Sequence, residues 1–164
     1  MPELSDTFKP SDRRGVHLNM SINSIQEAKL LHISAVANLM YERAFEMTGD
    51  EKYAEEMYVL GFVHDIGYIF GAKGHAEAGG DLMTRVGFKY ADAVSLHGEG
   101  DLDPDRLTQE VMLIQWCDMS VGPGGVRMSV AERLEDIGVR YGTDSKQYRE
   151  AAKVAARLNE NGMF

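Results

Sequence analysis

Apolar residues along this chain recur with the three-to-four-residue spacing of amphipathic helices, and this periodicity is the strongest constraint on its fold. The sequence has no convincing two-residue alternation of the kind that indicates a half-buried strand. Helix starts are indicated at Ser24 and Ser129, which open capping-box patterns, and at Asp103-Pro104. The pattern predicts an all-α fold, a single compact bundle of about seven helices.

The length and composition favour one domain. The chain has 164 residues, 44% of them hydrophobic, which is enough for one core. Residues 1–20 contain Pro2, Pro10 and Gly15 and show no helical periodicity, so an irregular N-terminal arm is predicted there. Residues 21–164 are predicted to form the domain, with its first helix beginning at Ser24.

Charge, hydropathy and cysteine content exclude several classes of partner. The formal net charge of −9 leaves no general basic surface, so no long nucleic acid is expected to bind. No apolar run is long enough to cross a bilayer and the N-terminus lacks the apolar core of a signal peptide, so no membrane partner is expected. The single cysteine, Cys117, excludes an internal disulfide. These features predict a cytoplasmic protein, and a homodimer stays open.

Ionisable side chains fall on the apolar faces of five predicted helices. They are His32, His64, His75, His97 and Asp118, and Asp65 directly follows His64. Several imidazoles and two carboxylates gathered in a core would leave many polar groups unpaired, which is costly. A divalent ion removes that cost, and these ligand types favour iron, manganese, cobalt, zinc or nickel over calcium or magnesium.

The same residues form a motif. His32, the dipeptide His64-Asp65 and Asp118 follow an H…HD…D order, and Ile66-Gly67 extends the dipeptide to HDIG. In these residues the chain resembles the HD superfamily of metal-dependent phosphohydrolases, whose HD domain is a helical bundle. The resemblance extends over roughly residues 24–142, nearly the whole predicted core.

His75 and His97 are similar to the two additional histidines of the dinuclear branch of that superfamily. This branch includes diadenosine tetraphosphate hydrolase-like proteins, HD-GYP cyclic-di-nucleotide phosphodiesterases and mixed-valence di-iron oxygenases. The resemblance implies two divalent transition-metal ions, with iron as the first expectation. One ion would be held by four residues: His32, His64, Asp65 and Asp118. His75 and His97 would hold the second ion, with Asp65 bridging the two.

The resemblance also implies a reaction. Metal coordination lowers the pKa of water, and the resulting hydroxide can attack phosphorus without a side-chain nucleophile. We therefore expect a metal-dependent phosphohydrolase acting on a nucleotide or another small phosphate ester, with Asp65 at its catalytic centre. Many family members have a lysine three residues after the HD aspartate, where this chain has Tyr68. Lys73 and Arg127 are predicted instead to supply positive charge to the substrate phosphate.

The sequence is compatible with other functions as well. The same six ligands suit a mixed-valence di-iron oxygenase acting on a small polyol or phosphonate, which is the main alternative. A metal-retaining domain that senses a nucleotide without turnover is another. In a mononuclear site, His75 and His97 would cap helices or act on substrate. The missing Glu-Asp pair and GYP motif argue against guanosine tetraphosphate and cyclic di-nucleotides as substrates.

Two further features of the sequence are expected to have structural roles. The glycine-rich residues 121–125 are predicted to turn the chain, with a phosphate cradle as the less favoured alternative. The charged pairs Glu132-Arg133 and Arg149-Glu150 are predicted to lie on solvated helix faces.

Overall fold

A computed structural model describes residues 13–163 of the chain, with side chains from Glu27 onward. These residues form seven α-helices joined by loops and short 3₁₀ turns, without a β-strand among them. The helices are α1 (Arg13–Thr48), α2 (Glu51–Val63), α3 (His75–Arg85), α4 (Ala91–Leu96), α5 (Gln109–Asp118), α6 (Val130–Tyr141) and α7 (Lys146–Glu160). The predicted all-α bundle is confirmed. None of the described helices has the length and apolar character needed to span a membrane.

Capping residues set several helix boundaries, and the one at Ser129 is predicted from the sequence. Asp50 caps α2 by accepting a hydrogen bond from the amide of Tyr53, and Ser129 forms a complete capping box with Glu132 before α6. Gly74 precedes α3 with a left-handed φ of 69°, which glycine adopts without steric cost. Side-chain caps and glycine conformations therefore fix these boundaries locally.

The first helix is longer than predicted. It begins at Arg13 instead of Ser24, so residues 13–20 of the predicted irregular arm are helical, while residues 1–12 lie outside the described part. Residues 16–23 contain neither proline nor glycine, so nothing in the chain stops the helix upstream of Ser24. The capping-box pattern at Ser24 therefore does not mark a helix start, because the residues before it are themselves helical.

The fifth helix begins later than predicted. Asp103-Pro104 opens a 3₁₀ turn, Pro104–Arg106, and Asp103 makes no side-chain cap bond. The helix starts after Thr108, whose hydroxyl accepts a hydrogen bond from the amide of Val111. A second capping residue five positions downstream thus sets the true start of α5.

The buried side chains form two apolar clusters. The larger one joins α1, α2, α4 and α5, and its fully buried members include Val36, Met40, Met57, Leu60, Val94, Val111, Leu113 and Ile114. The smaller one joins α6 and α7 to the end of α5 through Met119, Val130, Ile137, Ala151, Val154 and Leu158. Trp116 packs against both clusters, so α5 connects the main body to the α6–α7 hairpin.

Glycines let two backbone segments touch beside the HD dipeptide. A Cβ atom on Gly67 would lie 1.6 Å from the carbonyl oxygen of His75, and one on Gly79 would lie 3.0 Å from the amide nitrogen of Gly67. These contacts involve backbone atoms, which cannot rotate away as a side chain can. The first turns of α3 are therefore held directly against the residues that follow Asp65.

We predict that Gly67→Ala destabilises the protein by about 1–3 kcal/mol, because the new methyl group overlaps the backbone of α3. Gly98→Ala is the matched control, since a Cβ at Gly98 meets nothing within 4 Å, and it should change stability by no more than about 0.5 kcal/mol. Chemical denaturation measures both free energies of unfolding. Equal stability of the two variants would contradict the close packing of Gly67 on α3.

Candidate metal centre

The six predicted ligands come from five helices and meet at one place. His32 lies within α1, and the other five residues stand at helix ends: His64 and Asp65 after α2, His75 at the start of α3, His97 after α4 and Asp118 at the end of α5. His32, His64, Asp65 and His97 are buried. The side chain of His75 is 24% exposed, as is that of Asp118, so one side of the cluster reaches solvent.

Asp65 lies between two pairs of imidazoles. Its Oδ1 atom is 3.4 Å from Nε2 of both His75 and His97, and those two Nε2 atoms are 3.3 Å apart. Its Oδ2 atom is 3.4 Å from Nε2 of His64 and 3.8 Å from Nε2 of His32. One carboxylate therefore offers a different oxygen to each pair, which is the arrangement of a bridging ligand.

Asp118 completes the half of the cluster on the His32 side. Its Oδ1 atom is 3.0 Å from Nε2 of His32 and 3.6 Å from Nε2 of His64. The ligand atoms of His32, His64 and Asp118 all lie within 4.8 Å of one another, and the same holds for His64, Asp65 and His97. His64 thus stands near the middle of the cluster, within reach of both groups.

Hydrogen bonds to the backbone orient all four imidazoles. Each Nδ1 atom faces a carbonyl oxygen: that of Gly122 for His32 at 3.3 Å, Gly61 for His64 at 2.6 Å, Ala72 for His75 at 3.1 Å and Val94 for His97 at 2.7 Å. Because a carbonyl can only accept, each Nδ1 must carry the donated hydrogen. In the neutral rings this leaves a lone pair on Nε2, the atom that points into the cluster, and metal-ligating histidines are oriented in this way.

The glycine-rich loop serves the imidazole of His32. Gly125 has a φ of 81°, and a Cβ atom there would lie 2.7 Å from the carbonyl oxygen of Leu31, so the loop packs closely against α1. This packing brings the carbonyl of Gly122 to Nδ1 of His32. None of the loop residues 121–125 lines the pocket over the cluster. The loop therefore turns the chain and orients the imidazole of His32.

The electrostatics of the cluster favour ionised carboxylates. Burial alone would raise the pKa of Asp65, but the neighbouring His64, His75 and His97 hold it well below its usual range. Burial alone would also raise the pKa of Asp118, but the neighbouring imidazoles of His32 and His64 hold it well below its usual range. Burial would lower the pKa of His64, yet the two carboxylates raise it well above the ordinary histidine value. Both aspartates therefore keep the negative charge that a cation requires.

The donor set fits a divalent transition-metal ion. Nε2 of His64 is fully buried and makes no hydrogen bond, although a buried polar nitrogen without a partner is costly. An ion within reach of the neighbouring carboxylate oxygens would provide that partner. Imidazole nitrogens with carboxylate oxygens suit zinc, iron, manganese, cobalt or nickel.

A pocket of about 500 Å³ opens over the cluster. Asp65, His75, His97 and Asp118 line it on the metal-centre side. Helices α6 and α7 line the other side, and their apolar contribution comes from Ile137, Tyr141, Ala151 and Val154. The pocket therefore lies where the main body meets the α6–α7 hairpin.

The two cations predicted for substrate binding have different positions. Lys73 is exposed and lines the pocket, as the sequence led us to expect. The structure does not bring Arg127 to the pocket: both of its terminal nitrogens bind Glu42 on α1, at 2.7 and 2.8 Å. Arg127 follows Asp118 closely in sequence, but a bridge between Val121 and Arg127 directs the chain towards the outside of α1. The structure therefore places Arg127 apart from the other predicted site residues.

Sequence reasoning missed Lys29. Its Nζ atom lies 3.2 Å from Oδ2 of Asp65 and 3.8 Å from the centre of the Tyr68 ring, which stacks on His75. Burial would lower the pKa of Lys29, but the charge of Asp65 outweighs it and raises the pKa. A signal existed, because Lys29 precedes His32 by three residues and so lies on the same face of α1.

Two charged residues predicted to be solvated also line the pocket. Arg133 is largely buried, with 17% of its side chain exposed, and binds Asp136. Glu150 accepts a hydrogen bond from the amide of Gly100. Their neighbours Glu132 and Arg149 are exposed as predicted. The pairing of α6 with α7 against the main body is a tertiary feature that a helical pattern cannot reveal.

We predict about two metal ions per chain after reconstitution, falling to about one in His75→Ala and in His97→Ala, because each variant removes a nitrogen beside Oδ1 of Asp65. Glu77→Ala, an exposed change in the first turn of α3, should keep the wild-type content. Elemental analysis by plasma mass spectrometry gives the stoichiometry. Wild-type protein that takes up no metal would refute the metal centre.

The chain was compared with protein-family models, curated proteins and solved structures. None of the three comparisons gives a match. The candidate metal centre therefore rests on the geometry of its own residues, and membership of the HD superfamily stays an expectation from the motif.

Proposed function

We propose that this chain is a metal-dependent phosphohydrolase that acts on a nucleotide or another small phosphate ester. One observation carries the proposal: the carboxylate of Asp65 faces two imidazole pairs with separate oxygens, at the base of a pocket lined by lysines. This arrangement supports a pair of adjacent ions on the pocket floor. The H…HD…D order of the ligands is in keeping with the same activity.

The six ligands and the nearby lysines would have separate tasks. Bound divalent ions supply a lower pKa for water and positive charge to offset the charge that develops on phosphoryl oxygens. Asp65 and Asp118 remain ionised and so hold the cations in place. Lys29 and Lys73 bring ammonium groups to the pocket, where a substrate phosphate would contact them.

Lys29 supplies a cation that the motif lacks. Tyr68 occupies the position where many HD proteins have a lysine, and the ammonium of Lys29 lies against the ring of that tyrosine. Lys29 approaches from α1 and reaches the same aspartate, at 3.2 Å. A positive charge therefore stands beside Asp65 even though the sequence after the HD dipeptide provides none.

The pocket also limits the size and chemistry of the substrate. Its volume of about 500 Å³ falls in the usual range for small-molecule sites, roughly 300–1,000 Å³. Ile137, Tyr141 and Val154 form an apolar wall across from the metal centre. Such a wall suits the organic part of a phosphate ester, for example a nucleobase, while the phosphate faces the aspartates and lysines.

The test is turnover of a panel of nucleotides and phosphomonoesters by protein loaded separately with manganese, cobalt, zinc or iron. We expect phosphate release that requires metal and disappears in Asp65→Asn, which removes the charge between the two imidazole pairs. A fully loaded protein without turnover on the panel would contradict the proposal. A mixed-valence di-iron spin signal with oxidation of a polyol or phosphonate would replace it with the oxygenase alternative.

Lysine variants sharpen this test. Lys29→Met should lower kcat/KM by about 10- to 100-fold while metal content stays unchanged, because it removes one charge-assisted hydrogen bond to the phosphate. Lys52→Met, on the exposed first turn of α2, is the control and should behave as wild type. Full activity in Lys29→Met would exclude a contact between Lys29 and the substrate.

A further inference from the structure

Among the described residues, the buried polar side chains are four metal-centre residues and one other, Gln115 on α5. Burial of an amide is costly unless its hydrogen bonds are made. The Nε2 atom of Gln115 donates to the carbonyl oxygens of Leu96 and Glu99, both at 3.0 Å. Its Oε1 atom accepts a hydrogen bond from Arg157 at 2.6 Å. Two acceptors and one donor around the amide fix its orientation.

Arg157 on α7 binds the same turn from the other side. Its guanidinium donates to the carbonyl oxygen of Gly100 at 2.7 Å and to that of Glu99 at 2.9 Å. Glu150, also on α7, accepts from the amide of Gly100 at 2.8 Å. The turn formed by residues 96–100 is thus held between α5 and α7 by hydrogen bonds to its backbone.

His97 is part of this turn. Its Nε2 atom lies 3.3 Å from that of His75 and 3.4 Å from Oδ1 of Asp65. We propose that Gln115 and Arg157 are positioning residues for His97, and that they set the affinity of the ion held by His75, His97 and Asp65. The proposal depends on the metal-binding part of the proposed function and does not require hydrolysis.

The effect should fall on one ion. The side-chain hydrogen bonds of Gln115 and Arg157 end on the turn or join the two residues, and none of them ends on His32, His64 or Asp118. The ion beside those three residues, which Asp65 also faces, has the larger set of ligands and should bind more tightly. Residues that orient metal ligands typically change metal affinity by about 10- to 100-fold when they are replaced.

The experiment is a titration of metal-free protein with Mn²⁺, followed by calorimetry and by electron spin resonance, which distinguishes isolated from coupled ions. In Gln115→Met and Arg157→Met we expect the dissociation constant of the weaker ion to rise by at least about tenfold. The constant of the tighter ion should stay within about twofold of wild type, and the coupled-pair signal should appear only at higher Mn²⁺. Arg157→Met tests the proposal even if Gln115→Met fails to fold, since Arg157 is only partly buried.

Arg149→Met is the matched control, because Arg149 also lies on α7, is exposed, and donates to the carbonyl oxygen of Asp144 instead of to the turn. This control should leave both dissociation constants at the wild-type values. Equal weakening of both ions, no weakening of either, or a wild-type protein that binds fewer than two ions would overturn the positioning proposal. Two ions with the expected pattern but no phosphoester turnover would contradict only the hydrolase function.

Discussion

A buried carboxylate surrounded by four imidazoles is the constraint on which this structure depends. The side chain of Asp65 is only 6% exposed, and a buried charge of this kind is tolerated only when it is paired and hydrogen-bonded. The partners arrive from α1, α2, α3 and α4, so the relative placement of four helices is fixed by one residue. The contact of Gly67 with the start of α3 serves the same requirement, because it sets the distance between Asp65 and His75.

Helix ends are well suited to presenting such ligands. His64, His75 and His97 each donate Nδ1–H to the carbonyl oxygen three residues earlier, so the local backbone alone orients the ring. His32 lies inside a long helix, where the carbonyls of its own helix are already used, and its ring bonds to Gly122 from a distant loop. This difference explains why a loop far along the sequence packs so tightly on α1. It also divides the centre into locally oriented ligands and one that depends on tertiary structure.

The sequence brings the six candidate ligands to light because each falls on, or directly after, an apolar helical face that must turn inwards. The residues that it fails to place depend on how helices pack against each other. Arg127 follows Asp118 closely, but the intervening turn directs it to Glu42. Gln115 is a single polar residue in an apolar stripe, and only the approach of Arg157 from α7 gives it a role. Helical periodicity shows which side of a helix is buried, whereas it does not show which helix covers that side.

The most direct test of the metal centre is anomalous diffraction from crystals of metal-loaded protein, recorded on both sides of the absorption edge of the metal. We expect two anomalous peaks about 3.5–4 Å apart, with Asp65 between them and His75 and His97 on one of the two ions. A single peak beside His32, His64 and Asp118 would contradict the bridging role of Asp65. A peak located elsewhere on the molecule would contradict the metal centre itself.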